Sequence, residues 1–162
     1  TKAKDGYDAI QLGVVGKAKK LKKPQREALK DLGEFQILKE VRGATGELKR
    51  GDRVTVEIFT PGEMVKVSGI SKGKGFAGTV KRHGFHRGPK THGHDHHRAP
   101  GSIGAMGIPR VIPGLKMAGR MGGKKVTLNK VEVVAVDAEH NHLLVKGPVP
   151  GPRRALVLVS KK

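Results

Sequence analysis

Alternation of hydrophobic and polar positions predicts two short β-strands in the middle third of the chain. In residues 54–58, valine or isoleucine alternates with polar residues, a pattern typical of a half-buried strand. Residues 60–63 (Thr-Pro-Gly-Glu) have the composition of a turn. A second strand then begins near residue 65 and ends near residue 70. The pattern therefore predicts two strands separated by a turn.

Runs of β-branched residues predict further strands toward the end of the chain. Residues 126–128 and 131–136 are rich in valine, which favours extended structure. Residues 137–142 contain two acids and an asparagine and predict a turn. Short strands are then expected at 143–146 and 155–159, separated by a segment rich in proline and glycine.

The first 42 residues predict two more strands and one helix. Residues 7–15 and 34–42 have strand patterns, and residues 24–32 fit a short helix with Pro24 in its first turn. A basic run, KAKKLKK (17–23), precedes this helix. Six or more short strands with turn residues between them predict a mainly β protein, organised as a small β-barrel with one or two short helices.

Residues 71–125 have a different composition. Beyond Val80 the large aliphatic residues follow no helical or strand period, and 14 of the 24 glycines fall between Lys66 and Lys125. Such a segment cannot bury enough apolar surface to offset the entropy lost on ordering. We therefore expect it to form a long extension that becomes ordered against a partner.

The charge of the chain indicates what that partner is. The net charge is +19, and residues 66–125 alone hold 13 Lys and Arg against one Asp, a net charge of +12. A charge of this size opposes compaction unless an anionic partner neutralises it. No apolar run approaches the roughly 20 residues needed to span a bilayer, and no amphipathic surface helix is visible. Nucleic acid is therefore the expected partner.

Residue types narrow the chemistry further. The chain has no cysteine, which excludes disulfides and thiolate metal ligands. It has five aromatic residues and no tryptophan. Platforms for base stacking are therefore poorly supplied, and contacts from Lys and Arg to the phosphate backbone are favoured. The first residues, TKAKDGYDAIQLG, lack the apolar region of a signal peptide.

A cluster of histidines raises the possibility of a metal site. Six of the eight histidines lie in HGFHRGPKTHGHDHHRAPGS (83–102), and in an extended conformation His92, His94 and His96 would share one face. Three imidazoles can bind zinc, nickel or copper. However, neighbouring Arg and Lys would repel a cation, and the spacing fits no common structural zinc pattern. We favour hydrogen bonding to RNA, with no metal and no cofactor.

Two other motifs favour phosphate binding over catalysis. Ser102, His97 and Asp95 offer the residue types of a catalytic triad, but nothing in so glycine-rich a segment would hold them rigidly. SKGKGFAG (71–78) contains the pattern G-x-G-x-x-G without a surrounding βαβ unit. Glycine allows close approach of the backbone to phosphate, and lysine supplies the charge. KMAGRMGGKK (116–125) combines the same residue types, with Met117 and Met121 as apolar anchors.

Several long motifs resemble one known family. The following segments resemble, in order, the bacterial large-subunit ribosomal protein L-three: KDGYDAIQLG (4–13), GDRVTVEIFTPGEMVKVSGISKG (51–73), SGISKGKGFAGTVKRHGF (68–85), HRAPGSIG (97–104), KMAGRMG (116–122) and LLVKGPVPG (143–151). The resemblance covers most of residues 1–16 and 34–162. Residues 105–115 depart from the family pattern. The family's opening G-x-K-x-G-M-T is not found, so a first barrel strand is either absent or outside this sequence.

The resemblance implies a fold and a function. It implies a six-stranded translation-protein-type β-barrel built from residues 1–70 and 126–162, with residues 17–33 as an insertion and residues 71–125 as an extended loop. It also implies a structural, non-enzymatic constituent of the large ribosomal subunit, located on cytoplasmic ribosomes. Such a protein would bind large-subunit ribosomal RNA, support early assembly and extend its loop toward the peptidyl transferase centre. Ribosomal proteins L-fourteen and L-nineteen would be neighbours, with no membrane or small-molecule substrate.

The candidate RNA-binding residues share a polar or cationic side chain in this loop. They are Lys72, Lys74, Lys81, Arg82, His83, His86, Arg87, Lys90, His92, His94, His96, His97, Arg98, Ser102, Arg110, Lys116, Arg120, Lys124 and Lys125. Two alternatives remain open: a histidine-rich metal-binding protein and a general nucleic-acid-compacting protein.

Overall fold

Strands predominate in the computed structural model, which describes residues 6–16, 22–43 and 48–161. The strands are β1 (Ala9–Val15), β2 (Phe35–Arg42), β3 (Met64–Ile70), β4 (Phe76–Ala77), β5 (Gly119–Arg120), β6 (Lys125–Asp137), β7 (His142–Val145) and β8 (Val157–Lys161). The helices are α1 (Lys23–Ala28) and α2 (Thr79–His83), with one 3₁₀ turn at Val56–Ile58. The prediction of a mainly β protein with one or two short helices is confirmed.

The chain forms two compact units, Thr1–Val54 and Thr55–Lys162. In the first unit, β1 and β2 pair antiparallel from Ala9 opposite Arg42 to Val15 opposite Phe35. The pairing is tight, since a Cβ atom on Gly13 would collide with the ring of Phe35. Both strands lie close to their predicted positions.

Helix α1, also in the first unit, ends earlier than predicted. The sequence predicts a helix to residue 32, but α1 ends at Ala28 and is followed by a turn. Arg50 donates from Nη2 to the carbonyl oxygen of Ala28 and to Oδ1 of Asp31, each at 2.9 Å. The last carbonyls of a helix have no amide partner within the helix, and Arg50 supplies a donor to that of Ala28. Part of the basic run 17–23 lies outside the described residues.

The second unit is built on a four-stranded antiparallel sheet in the order β7-β6-β3-β8. Its core contains Val65, Val67, Val131 and Val133, of which Val65 and Val133 are fully buried. Partly buried side chains pack around this core, among them Phe59, Leu128, Val136, Leu143, Val145, Val157 and Val159. Because every second side chain of a strand faces the same side of the sheet, the alternating valines of β3 and β6 meet in one core.

A bulge joins two predicted strands into one. The runs 126–128 and 131–136 both belong to β6, which is 13 residues long. Val65 lies opposite Val131 and Val67 lies opposite Leu128, so β6 carries one extra residue between these pairs. Lys130 has a φ of 64°, which accommodates that extra residue. The strand thus bends at the bulge and continues to Asp137.

The prediction of a strand at residues 54–58 is wrong. Val56–Ile58 forms a 3₁₀ turn, and Val54 and Ile58 are about half-exposed. The Val56 amide donates to Oδ1 of Asn141 at 3.0 Å, instead of to a neighbouring strand. A side chain from the β6–β7 turn has replaced the ladder partner that a strand would need.

The sheets of the described residues contain two, four and two strands, and within these residues none of them closes into a barrel. The six-stranded barrel and its assignment to residues 1–70 and 126–162 remain predictions. Among the described helices, none has the length and apolar character needed to cross a bilayer.

Candidate nucleic-acid interface

The basic segment begins as a continuation of the sheet. After Ile70 pairs with Lys125 at the end of β3, the Ser71 amide donates to the carbonyl of Lys124 at 2.9 Å. The Gly123 amide returns a bond to the carbonyl of Ser71 at 3.1 Å. The outgoing and returning chains therefore stay paired beyond the sheet.

The pairing extends to strands β4 and β5. The Lys74 amide donates to the carbonyl of Met121, and the Met121 amide donates to the carbonyl of Gly75, both at 2.9 Å. Phe76 then lies opposite Arg120 and Ala77 opposite Gly119. We refer to residues 71–77 and 119–124 together as the stalk. It contains four of the candidate residues, Lys72, Lys74, Arg120 and Lys124, and a fifth, Lys125, follows it directly at the start of β6.

Glycine allows the two chains of the stalk to approach closely. Gly122 has a φ of 77°, and a Cβ atom there would overlap the carbonyl oxygen of Lys72. A Cβ atom on Gly119 would lie 2.7 Å from Nη1 of Arg82. Larger residues at either position would displace backbone or a cation. Gly119 and Gly122, in a motif for which the sequence predicts phosphate binding, therefore serve close contacts within the protein.

Two of the candidate residues fasten α2 to the returning chain. Arg82 donates from Nη1 to the carbonyl oxygen of Met117 at 2.6 Å, and Nε2 of His83 lies 3.0 Å from the same oxygen. A carbonyl oxygen accepts hydrogen bonds only, so His83 carries a proton on Nε2 in this contact. Both side chains are half-buried. Their first role is therefore to hold the two arms of the segment together.

The histidine-rich stretch folds back on itself. The Gly88 amide donates to the carbonyl of His97 at 3.0 Å, and Nδ1 of His97 donates to the carbonyl of Pro89 at 2.8 Å. His94 lies beside His96 and His97, with ring centroids 6.4 and 6.3 Å apart. His92, with a φ of 63°, lies in a turn. His92, His94 and His96 would share one face only in an extended segment, and the left-handed turn at His92 breaks the alternation that such a face requires.

Within the described residues, no group of three or more His, Asp or Glu side chains is arranged to hold a metal ion. Of the residue types rejected above as a catalytic triad, Ser102 donates from its hydroxyl to the carbonyl of Gly104 at 3.0 Å, and Nδ1 of His97 donates to the carbonyl of Pro89. The structure thus places these two side chains in separate local contacts.

The remaining cations of the segment are exposed. They are Lys72, Lys74, Lys81, Arg87, Lys90, Arg98, Arg110, Lys116, Arg120, Lys124 and Lys125. Within the part of the chain that the structure describes, none of them forms an ion pair, whereas Lys146 pairs with Glu132 and Lys161 with Glu63. His86, His92, His94, His96 and His97 are exposed as well. The segment therefore presents a large positive charge whose exposed cations form no ion pair with an acid of the described residues.

The sequence did not reveal that residues 149–151 lie at the base of the stalk. A Cβ atom on Gly69 would lie 2.9 Å from the carbonyl oxygen of Pro150, and one on Gly151 would lie 2.7 Å from that of Ile70. An open cavity of about 400 Å³ is formed beside this contact. It is lined by Ser71, Lys72, Lys74, Met121, Gly122, Val149 and Gly151. The glycines of GPVPG (147–151) were the available signal, since close backbone approach is a common reason for glycine.

Comparisons with known proteins point in one direction. The family model described as "Ribosomal protein L3" matches residues 8–138. The chain is 50% identical to "Large ribosomal subunit protein uL3" of Heliobacterium modesticaldum, over 99% of this chain and 78% of that protein. It is 48% identical to the protein of the same name from Geobacillus sp. strain WCH70, over 97% and 76% of the two chains. It is 50% identical to that of Bacillus mycoides, over 96% and 76%.

Proposed function

The chain belongs to the ribosomal protein L3 family, and we propose that it binds large-subunit ribosomal RNA directly through residues 71–125. The observation that carries this proposal is the set of exposed cations along the segment, none of which is paired with an acid of the described residues. Phosphate is the complementary ligand for such a surface, because each Lys or Arg that contacts a phosphate releases a condensed counterion.

The stalk holds part of this cationic surface on an ordered backbone. Its backbone hydrogen bonds continue the β3–β6 ladder, so the cations at 72, 74, 120 and 124 are held on ordered backbone. Ordered backbone reduces the entropy lost when these side chains bind. Arg82 and His83 contribute by holding the carbonyl of Met117 and with it the returning chain.

The more distant candidates are part of the same proposal. We assign His86, His92, His94, His96 and His97 to hydrogen bonds with RNA. Arg87, Lys90, Arg98, Arg110 and Lys116 are assigned to phosphates. Ser102, whose hydroxyl donates to the carbonyl of Gly104, is assigned to RNA binding as well.

Further features of the proposal come from the family. We propose that the chain is a constituent of the large ribosomal subunit that supports early assembly, extends residues 71–125 toward the peptidyl transferase centre, and contacts ribosomal proteins L-fourteen and L-nineteen. A six-stranded barrel belongs to the same proposal, and the two larger sheets contain two and four strands. The family is one of ribosomal proteins and not of enzymes, in agreement with the sequence.

Salt dependence of RNA binding tests the proposal. Each phosphate contact should contribute about 0.7–0.9 to the slope of log affinity against log salt concentration. The double variant Lys72→Ala/Lys74→Ala should therefore lower the slope for purified large-subunit ribosomal RNA by roughly 1.4–1.8. The matched control is Lys146→Ala/Lys161→Ala. It removes the same net charge, but from lysines already paired with Glu132 and Glu63.

The control should change the slope far less than the stalk variant. A flat salt response of the unmodified protein, or equal slopes for the two variants, would refute the proposal. The rivals predict other results. A nucleic-acid-compacting protein binds duplex DNA as tightly as ribosomal RNA. A metal-binding protein retains stoichiometric metal after tag-free purification and loses it when His92, His94 and His96 are substituted.

A further inference from the structure

Phe76 in the stalk is unusually exposed for its size. On strand β4, Phe76 is 81% exposed, whereas the next residue, Ala77, is only 4% exposed. Successive side chains of a strand point to opposite faces, so the pairing register decides which of the two is buried. The register has buried the alanine and exposed the large aromatic ring. Burial in this chain therefore does not explain the presence of a phenylalanine here.

The other four aromatic residues all have contacts within the protein. The guanidinium of Arg42 lies 4.4 Å from the ring centroid of Tyr7, and the Phe35 ring fills the space beside Gly13. Phe59 packs against the core, and the ring of Phe85 lies 6.0 Å from that of His83. All five aromatic residues are among the described residues. Phe76 is distinguished from the rest by its exposure.

The surroundings of Phe76 are cationic. Arg120 lies directly opposite in the β4–β5 pair, and directly opposite residues project from the same face of a ribbon. Lys74 precedes Phe76 by two residues, and the stalk contains no acid. An exposed aromatic ring between cations is the combination by which proteins bind single-stranded nucleic acid, since the cations hold the backbone and the ring holds a base.

We infer that Phe76 stacks on an unpaired nucleobase of ribosomal RNA while Arg120 and Lys74 contact the adjacent phosphates. This inference rests on the proposed function and assigns a specific mode of contact to one side chain. It also revises the expectation that aromatic stacking plays little part in RNA binding by this chain. Few aromatic residues are present, but the register places one of them on the basic surface.

A series of substitutions at position 76 separates stacking from charge. Phe76→Ala should weaken binding to purified large-subunit ribosomal RNA by roughly 5- to 150-fold, the range for loss of one base–aromatic stack. The salt slope should not change, because no charge is removed. Phe76→Leu should bind as weakly as the alanine variant, whereas Phe76→Tyr should restore the affinity. Thermal melts of all three should match the unmodified protein, since the side chain is exposed.

Fluorescence gives an independent measurement, because the chain contains no tryptophan. Phe76→Trp introduces a single reporter, whose emission should be quenched when a base stacks on the indole. Leu144→Trp is the control. Leu144 is 51% exposed on β7, outside the stalk, and its reporter should show little quenching on RNA binding.

The outcomes distinguish this inference from the proposed function. Binding of Phe76→Leu at the unmodified affinity, or equal quenching of the two tryptophan reporters, would overturn stacking, while salt-dependent RNA binding would still support the function. Normal RNA affinity of Phe76→Ala with reduced incorporation into the subunit would also overturn it and point to a protein partner. Absence of any salt-dependent RNA binding would overturn both.

Discussion

Substitution of Gly122 by alanine tests whether the stalk is held by close backbone approach. An added Cβ atom would overlap the carbonyl oxygen of Lys72, and the φ of 77° at Gly122 also disfavours a side chain. Gly123 provides a matched control, because its φ is 64° and the nearest atom to an added Cβ is the mobile Arg120 side chain at 3.5 Å. The two variants share the backbone strain and differ in the clash.

The expected magnitudes follow from these contacts. A non-glycine residue in the left-handed region costs about 1–2 kcal/mol, and both variants incur that cost. Gly122→Ala must in addition move the chain away from Lys72. The bonds joining Ser71 to Lys124 and Gly123, at 2.9 and 3.1 Å, are the ones at risk. At about 0.5–1.5 kcal/mol each, their loss adds roughly 1–3 kcal/mol to the free energy lost by Gly122→Ala.

The assay is native-state hydrogen exchange, followed at the amides of Ser71, Lys74, Met121 and Gly123. Both substitutions leave all four amides present. We expect opening free energies at these amides to fall by about 2–5 kcal/mol in Gly122→Ala but by only about 1–2 kcal/mol in Gly123→Ala. Amides of β3 near Val65 and Val67 should change little in either variant. Equal protection of the stalk amides in the two variants would show that close approach at Gly122 does not hold the stalk.

Two further predictions concern the four-stranded sheet. Val133→Ala should lower the free energy of unfolding by about 1.5–3 kcal/mol, because Val133 is fully buried. Val134→Ala on the same strand, at a 54% exposed site, should lower it by less than about 0.5 kcal/mol. Equal denaturation midpoints for the two variants would contradict the assigned core. The backbone amide of His140 donates to Asp137 at 3.2 Å and, with its imidazole, lowers the pKa of that carboxyl from 3.8. The ionised Asp137 therefore stabilises the folded protein above pH 3.8, and this stabilisation is lost as the pH falls through the lowered pKa. Asp137→Asn should remove this pH dependence of the unfolding free energy, measured by urea denaturation. Identical pH profiles for the variant and the unmodified protein would refute this role of Asp137.

The sequence predicted those strands whose pattern agrees with their packing. β1, β2, β3, β7 and most of β6 lie near their expected positions. In β3 and β6 the alternating valines bury one face whichever strand they pair with. It failed at residues 54–58, where the same alternation forms a 3₁₀ turn bonded to Asn141, 85 positions from Val56. A periodic pattern states which face is apolar. It does not state whether a neighbouring strand is present.

The candidate interface was predicted in outline and not in its internal order. The excess of Lys and Arg between residues 66 and 125, with one Asp, needed no structure to be seen. The sequence did not separate the exposed cations from Arg82, which is half-buried against Met117, 35 residues later. Nor did it indicate that His92 would adopt a left-handed turn and break the histidine face.

By itself, the sequence determined the composition-dependent properties of this protein: the large positive charge, its concentration in one glycine-rich segment, and the valine periodicity of the sheet. Each of these properties follows from counting residues and charges along the chain, or from the order of neighbouring residues. Only the tertiary structure decided that Ser71 pairs with Lys124, that Lys130 forms a bulge and that Phe76 faces outward beside Arg120. Each of these depends on the register between strands separated by tens of residues. A shift of one position would exchange the two faces without changing any local pattern.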